Sequence, residues 1–256
     1  MRLEDTHAEA VVINPRELEA RAESLMPVHP FFGMSRESIV RAAPDYLVMS
    51  TMFPYIQSGA TARSTLLALE TGSPIQPDLA ATLPVAAFLV SDELGIHWKV
   101  MQHGNAALPS ILDVEGFHSE MLRRDFIAIF GAPVDPNPSP TTVTYLKGLS
   151  DGLSSIDPVR RSAMMASFEV HANRMIAALW VSIASEYGVA KDDLVYFRVH
   201  VGGDDPAEAY HVAMTAKMLS KTVSPASRGR FLKEFDAAYL LHADWCAAVA
   251  RERAEA

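Results

Sequence analysis

Cysteine is nearly absent from this chain of 256 residues, and the lone Cys246 excludes an intramolecular disulfide, a thiolate zinc cluster and an iron–sulfur cluster held by several cysteines. Basic runs are absent too. The 22 Lys and Arg are scattered among 31 Asp and Glu, giving a net charge of −9, which argues against a nucleic-acid partner. The N-terminal MRLEDTHAEAVVINP has no secretory apolar region, and the longest apolar stretch, around Met175 to Ala184, is too short to span a bilayer. The expectation is a cytoplasmic protein that does not enter membranes. No G-x-G-x-x-G stands between a strand and a helix, so flavin and nicotinamide fingerprints are missing. Sustained period-two alternation is also lacking, which leaves an all-α fold.

What the chain does have is apolar residues at three- and four-residue spacing over long segments, with 49% hydrophobic and 21% charged residues, the balance of a globular core. Ser139, Asp157 and Asp205 each precede a proline, the pattern of a capping side chain ahead of Pro at the first helical position. The periodicity predicts helices over 16–26, 35–58, 77–103, 116–130, 139–152, 157–187, 191–222 with an interruption, and 225–253, in a single domain over 1–256. The loop-like GAPVDPNPSP at 131–140 is a connection within that domain, because the helices on both sides need partners.

Two carboxylates interrupt otherwise apolar helical stripes. Glu93 lies among Leu89, Val90, Ile96 and Val100, and Glu169 among Met165, Ala166, Ala172 and Asn173. A carboxylate in a core costs several kcal/mol unless it is paired or bound to a metal, and no cationic residue lies close by on either face. Histidines follow both: His97 and His103 after Glu93, and the run HVGGDDPAEAYH from His200 to His211 downstream of Glu169. Imidazoles and carboxylates without thiolates suit non-haem iron or manganese better than structural zinc.

Three segments resemble the haem-oxygenase-like di-iron oxidases, all-α bundles of about seven to eight helices. DELGIHWKVMQH is similar to the family's glutamate and histidine pair and would supply Glu93 and His103. AMMASFEVH would supply Glu169, and YFRVHVGGDDPAEAYH begins as the family's last motif does, at His200. HPFFGMSRESI at 29–39 and T-x-x-Y-L at 142–146 extend the resemblance over 29–222. The last motif departs from the family at Ala207, seven after His200. An insertion of four residues, about one helical turn, brings Glu208 and His211 into the ligand slots; the rival keeps Asp204 as the carboxylate and also ends on His211. His97 is the alternate to His103. Glu208 reads equally as the third-position glutamate of a capping box headed by Asp205, and His103 as a helix-terminal residue on the dipole.

The resemblance implies two Fe(II)/Fe(III) ions held by three carboxylates and three imidazoles, dioxygen as co-substrate, and electrons from the substrate or an external reductant. It implies oxidation of a small molecule in specialised metabolism, with N-oxygenation of an amine or amino acid preferred. The alternative at the same site is oxidative C–C cleavage or decarboxylation of an amino or fatty acid. Relatives with the same bundle work without metal, as thiaminase-like or quinone-cofactor-forming enzymes, and a non-enzymatic helical binding protein would fit the composition equally. A ferritin-like arrangement would recruit Glu115 and His118, but only residues 94–114 separate Glu93 from Glu115, which is short for a helix pair to turn back. These two, with His7, His29, His171 and His242, read as structural or surface residues. The acidic exterior fits a homodimer or a monomer.

Overall fold

The computed structural model describes residues 13–103, 113–203 and 207–251, and among these there are helices and connections but no strand. Among the described residues there are ten helices and one single-turn piece: α1 (Pro15–Leu25), α2 (Arg36–Glu70), α3 (Pro77–Ala80), α4 (Leu83–Glu93), α5 (Ile96–His103), α6 (His118–Phe130), α7 (Pro140–Leu153), α8 (Pro158–Tyr187), α9 (Val195–Val201), α10 (Ala207–Thr222) and α11 (Arg228–Arg251). α8 is the axis of the molecule, touching α1, α2, α7, α9, α10 and α11. With α2, α7 and α11 it encloses an aromatic core that includes Phe31, Tyr46, Phe231, Phe235 and Tyr239, each fully buried. α4, α6, α9 and α10 complete the bundle on the other side of α2 and α8.

The expected count of seven to eight helices is too low, and each discrepancy has a local cause. α2 runs on to Glu70, well past 58, because Gln57, Ala60, Ser64 and Ala68 continue its buried stripe. That packing outweighs the roughly 1 kcal/mol that Gly59 costs inside a helix. The segment expected as one helix over 77–103 is three, since Thr82 caps a single turn against the Leu79 carbonyl and Gly95 takes a left-handed φ of 64°. The helix expected from 116 starts at His118, after a 3₁₀ turn at Val114–Gly116. Two of the three proline-marked starts are capped as the residue pattern predicts: Ser139 accepts from Thr142 N, and Asp157 from Val159 N and Arg160 N. The third, at Asp205, lies outside the described residues.

α9 has no capping side chain of its own. Its first amides are taken from across the bundle by Asp125 of α6, whose two carboxylate oxygens accept from Val195 N at 3.0 Å and Tyr196 N at 2.9 Å. Burial raises the Asp125 carboxyl to about 6, against the pull of these two bonds. Asp125 and His118 are seven residues apart on α6, two turns and thus one face, so the residue that fixes the start of α9 shares a face with one that meets His200 near its end. Asp125→Ala is expected to cost about 2 kcal/mol, the worth of a buried cap with two donors. Urea denaturation checks this, with exposed Asp192→Ala as the near-neutral comparison.

Candidate metal centre

α4 ends on two consecutive acids, Asp92 and Glu93, and the chain then turns sharply at Gly95. This turn passes close to the segment leading into α6: a Cβ added to Gly95 would stand 2.3 Å from the Gly116 carbonyl oxygen. Two glycines in near contact therefore bring Glu93, two residues before the turn, against His118, two residues after Gly116. Glu93 Oε2 lies 3.5 Å from His118 Nδ1. The rings of His118 and His200 meet edge to face with centroids 4.5 Å apart. One ligating atom from each of Glu93, His118 and His200 lies within 4.8 Å of the others.

His200 is oriented as metal-ligating histidines are. Its Nδ1 donates to the Tyr196 carbonyl at 2.8 Å, which fixes the tautomer and leaves the lone pair on Nε2. Burial, then the neighbouring His118, lowers it to about 4, so the ring is neutral at pH 7, the form a metal requires. Glu93 is subject first to burial, which raises its carboxyl, but the hydrogen bond and charge of His118 and the charge of His200 outweigh this and hold it below the ordinary range.

A second group adjoins the first. His211 of α10 sits between two carboxylates, with Nε2 at 3.1 Å from Asp92 Oδ2 and Nδ1 at 3.1 Å from Glu169 Oε2 of α8. Both bonds require both ring nitrogens to carry protons, so a positive charge stands between two acids. At Asp92 burial again acts upward and is outweighed, first by the hydrogen bond to His211 and then by the charges of His118, His211 and His200. Asp92 is only 2% exposed, and its other oxygen, Oδ1, has no hydrogen-bond partner among the described residues. A cavity of about 40 Å³, room for one or two small ligands, joins the groups. Glu93, Glu169, His200 and His211 line its polar side, and Phe53, Leu89, Phe168 and Ile176 are among its apolar walls.

Of the residues singled out in the sequence, Glu93, Glu169, His200 and His211 are thus brought together. His97 is not: its ring packs on Phe88, with centroids 4.8 Å apart, and Phe88 in turn packs on His211. His103 closes α5 and Glu208 lies in the first turn of α10, but their side chains, like all of Asp204, lie outside the described residues. Glu115 and His118, both read as structural or surface residues, differ: His118 is 3% exposed, not a surface residue, and stands against Glu93 and His200, whereas Glu115 is exposed. Asp92 was also missed. The available signals were a second acid beside Glu93 in an apolar stretch and a glycine within two residues of each partner.

Another cluster also meets a metal-ligand distance test, namely His29, His171 and Cys246, with one ligating atom from each within 4.8 Å of the others. Proton placement argues against it. His29 Nδ1 accepts the Phe31 amide at 3.1 Å, so the proton is on Nε2, which points at His171 Nε2 3.3 Å away. Burial pushes the Cys246 thiol well up, away from the thiolate a metal would need. This is a neutral core network, continued by His242 between the Tyr145 hydroxyl at 3.0 Å and the Ser167 hydroxyl at 3.2 Å.

No protein-family model, curated protein or solved structure matches this chain. Among the described residues no helix is long and apolar enough to cross a membrane.

Proposed function

We propose that this chain is a non-haem di-iron oxygenase or oxidase, built on a haem-oxygenase-like bundle, that oxidises a small molecule with dioxygen. The observation that carries the reading is the donor set: Glu93, Glu169, His200 and His211 line one small, largely apolar cavity, with His118 beside Glu93 and His200 and Asp92 beside His211. Oxygen and imidazole donors without thiolate fit iron or manganese, and the orphaned Asp92 Oδ1 is a buried acceptor of the kind a cation satisfies. Glu93, His118 and His200 would hold one ion, and His211, with the carboxylate of Asp92 or Glu169 beside it, would contribute to holding the other. Bound iron supplies the reduction of dioxygen, with electrons from the substrate or an external reductant.

The protein's own contributions are placement and exclusion of water. The Tyr196 carbonyl keeps the His200 lone pair directed inward. A cation bound to one ring nitrogen of His211 would displace the proton there and leave the other N–H on its carboxylate, so uptake of metal would release a proton. Phe53 and Phe168, stacked with centroids 4.0 Å apart, close the cavity on the side of α2. A thiaminase-like reading, which needs a cysteine nucleophile, is poorly served by Cys246, fully buried in the core network. N-oxygenation of an amine is preferred over oxidative cleavage or decarboxylation.

Anaerobic reconstitution with Fe(II) followed by metal analysis tests the reading. About two irons per chain are expected, as in other paired carboxylate and histidine sites. Glu169→Ala and His118→Phe are each expected to lower this to about one or less, because a bound ion loses one of few protein ligands. Iron content unchanged in both variants would remove the proposal.

A further inference from the structure

The cavity between the metal groups is too small for an organic substrate, but a larger space adjoins it. A groove of about 300 Å³ runs between α1, α8 and α10, and Glu169, Asn173 and His211 line both the groove and the inner cavity. These three side chains are therefore the wall between the two spaces. A molecule in the groove can bring one end to that wall.

The groove has a definite chemistry. Leu18, Val170, Val212 and Leu219 give it an apolar lining, while Glu19 and Glu23, one turn apart on α1, place two carboxylates along it. The two cations among its described lining residues are already engaged: His211 stands between Asp92 and Glu169, and the Arg174 guanidinium donates to the carbonyls of Ala22 at 2.9 Å and Met26 at 2.7 Å and to the Tyr239 hydroxyl at 2.7 Å. Arg174 pins α1 to the bundle and does not face the groove as a free carboxylate receptor.

Thr215 supplies an independent observation. Several helical threonines return their hydroxyls to a carbonyl one turn back, as Thr51 does to Leu47, Thr65 to Thr61 and Thr222 to Met218. Thr215, on the wall of the groove and only 7% exposed, has a hydroxyl with no hydrogen-bond partner among the described residues. A buried hydroxyl without a partner costs about 1–3 kcal/mol, which a ligand with a polar group in the groove would recover.

We infer that this groove between α1, α8 and α10 is the substrate site and that it takes an amine with a second nitrogen: an ammonium group beside Glu19 and Glu23, an aliphatic body on Leu18, Val170 and Leu219, and the second nitrogen against Glu169 and His211. A fatty acid is disfavoured, since its carboxylate would meet three acids and a guanidinium already occupied. Calling the bound molecule a substrate rests on the di-iron reading; its binding does not.

The test is calorimetric titration of the full chain, before and after iron loading, with hexylamine, hexanol and hexanoate, which share a body and differ in charge. Hexylamine is expected to bind more tightly than hexanol, and hexanoate most weakly. Replacing both acids (Glu19→Gln with Glu23→Gln) is expected to weaken hexylamine about fivefold, as exposed ion pairs allow, while hexanol is unchanged. Thr215→Val alters no charge but removes the hydroxyl that a polar ligand would satisfy, and is expected to lower hexanol affinity about threefold. No binding of hexylamine at millimolar concentration, hexanoate binding as tightly as hexylamine, or hexylamine binding unmoved by the double substitution would each overturn the inference. Hexylamine binding of the expected pattern in protein that takes up no iron would uphold the groove while removing the di-iron reading.

Discussion

Gly95→Ala is expected to dismantle the candidate metal centre without touching any of its ligands. The residue has a φ of 64°, and an added Cβ would stand 2.3 Å from the oxygen and 2.9 Å from the carbon of the Gly116 carbonyl. Two costs follow. A left-handed conformation costs an L-residue roughly 1–2 kcal/mol, and the collision is with backbone, so a side chain cannot swing away to relieve it. The turn after α4 must separate from the segment that leads into α6, and that carries His118 away from Glu93, now 3.5 Å distant. A total loss of about 2–4 kcal/mol is expected, in the range of backbone strain combined with repacking, and iron per chain should fall to half or less. Gly131, at the end of α6, provides the comparison: its φ is 71°, but a Cβ there meets nothing within 4 Å. Gly131→Ala therefore carries only the conformational cost. Urea denaturation and metal analysis of both variants separate the two effects. If Gly95→Ala costs no more than Gly131→Ala and keeps its iron, the glycine contact does not hold the site together.

The same contact explains why part of the site was legible in the sequence and part was not. Carboxylates at Glu93 and Glu169 stand out because helical periodicity makes a polar residue on an apolar stripe visible from local spacing alone. The all-α class was legible for the same reason, and the starts at Pro140 and Pro158 because capping is local chemistry. His118 was not legible in this way. It reaches Glu93 through the approach of two glycines on different segments, a tertiary contact with no period. The choice of His103 rests on the family's glutamate-to-histidine spacing, alongside a helix expected to run unbroken from 77 to 103. Gly95 breaks that helix, and the register between Glu93 and anything in α5 is lost. The length of α2 was not legible for the opposite reason: Gly59 interrupts the local pattern just past 58, whereas Ala60, Ser64 and Ala68 are held by packing.

The neutral network beside the core should make the apo protein sensitive to mild acid. Burial, with a smaller contribution from the charge of Arg174, lowers His29 to about 4, and burial lowers His242 to about 3. In the unfolded chain both titrate near 6.5. Between these values the unfolded state binds more protons than the folded state, so the stability from these two residues is complete above about pH 6.5 and is lost as pH falls through the folded values. Asp125 acts in the opposite direction: raised to about 6, it takes up a proton in the folded state before it would in the unfolded chain, and this favours the fold as pH falls. His171, which burial holds well below its ordinary value, and His200, also at about 4, act as His29 and His242 do, so four protons against one leave a net slope on the order of 4 kcal/mol per pH unit between about pH 6 and 4, a large fraction of an ordinary domain's stability by the lower limit. Urea midpoints measured at pH 7.5, 6, 5 and 4 on metal-free protein report this slope directly. Gln in place of His242 can still bond the Tyr145 and Ser167 hydroxyls but does not titrate, so His242→Gln should flatten the slope by about one proton while changing the midpoint at pH 7.5 less than at pH 4. Stability level from pH 6.5 to 4.5, or a slope untouched by that substitution, would mean that these buried imidazoles are protonated in the folded state, and the proton placement that excludes His29, His171 and Cys246 as a metal site would fail with it.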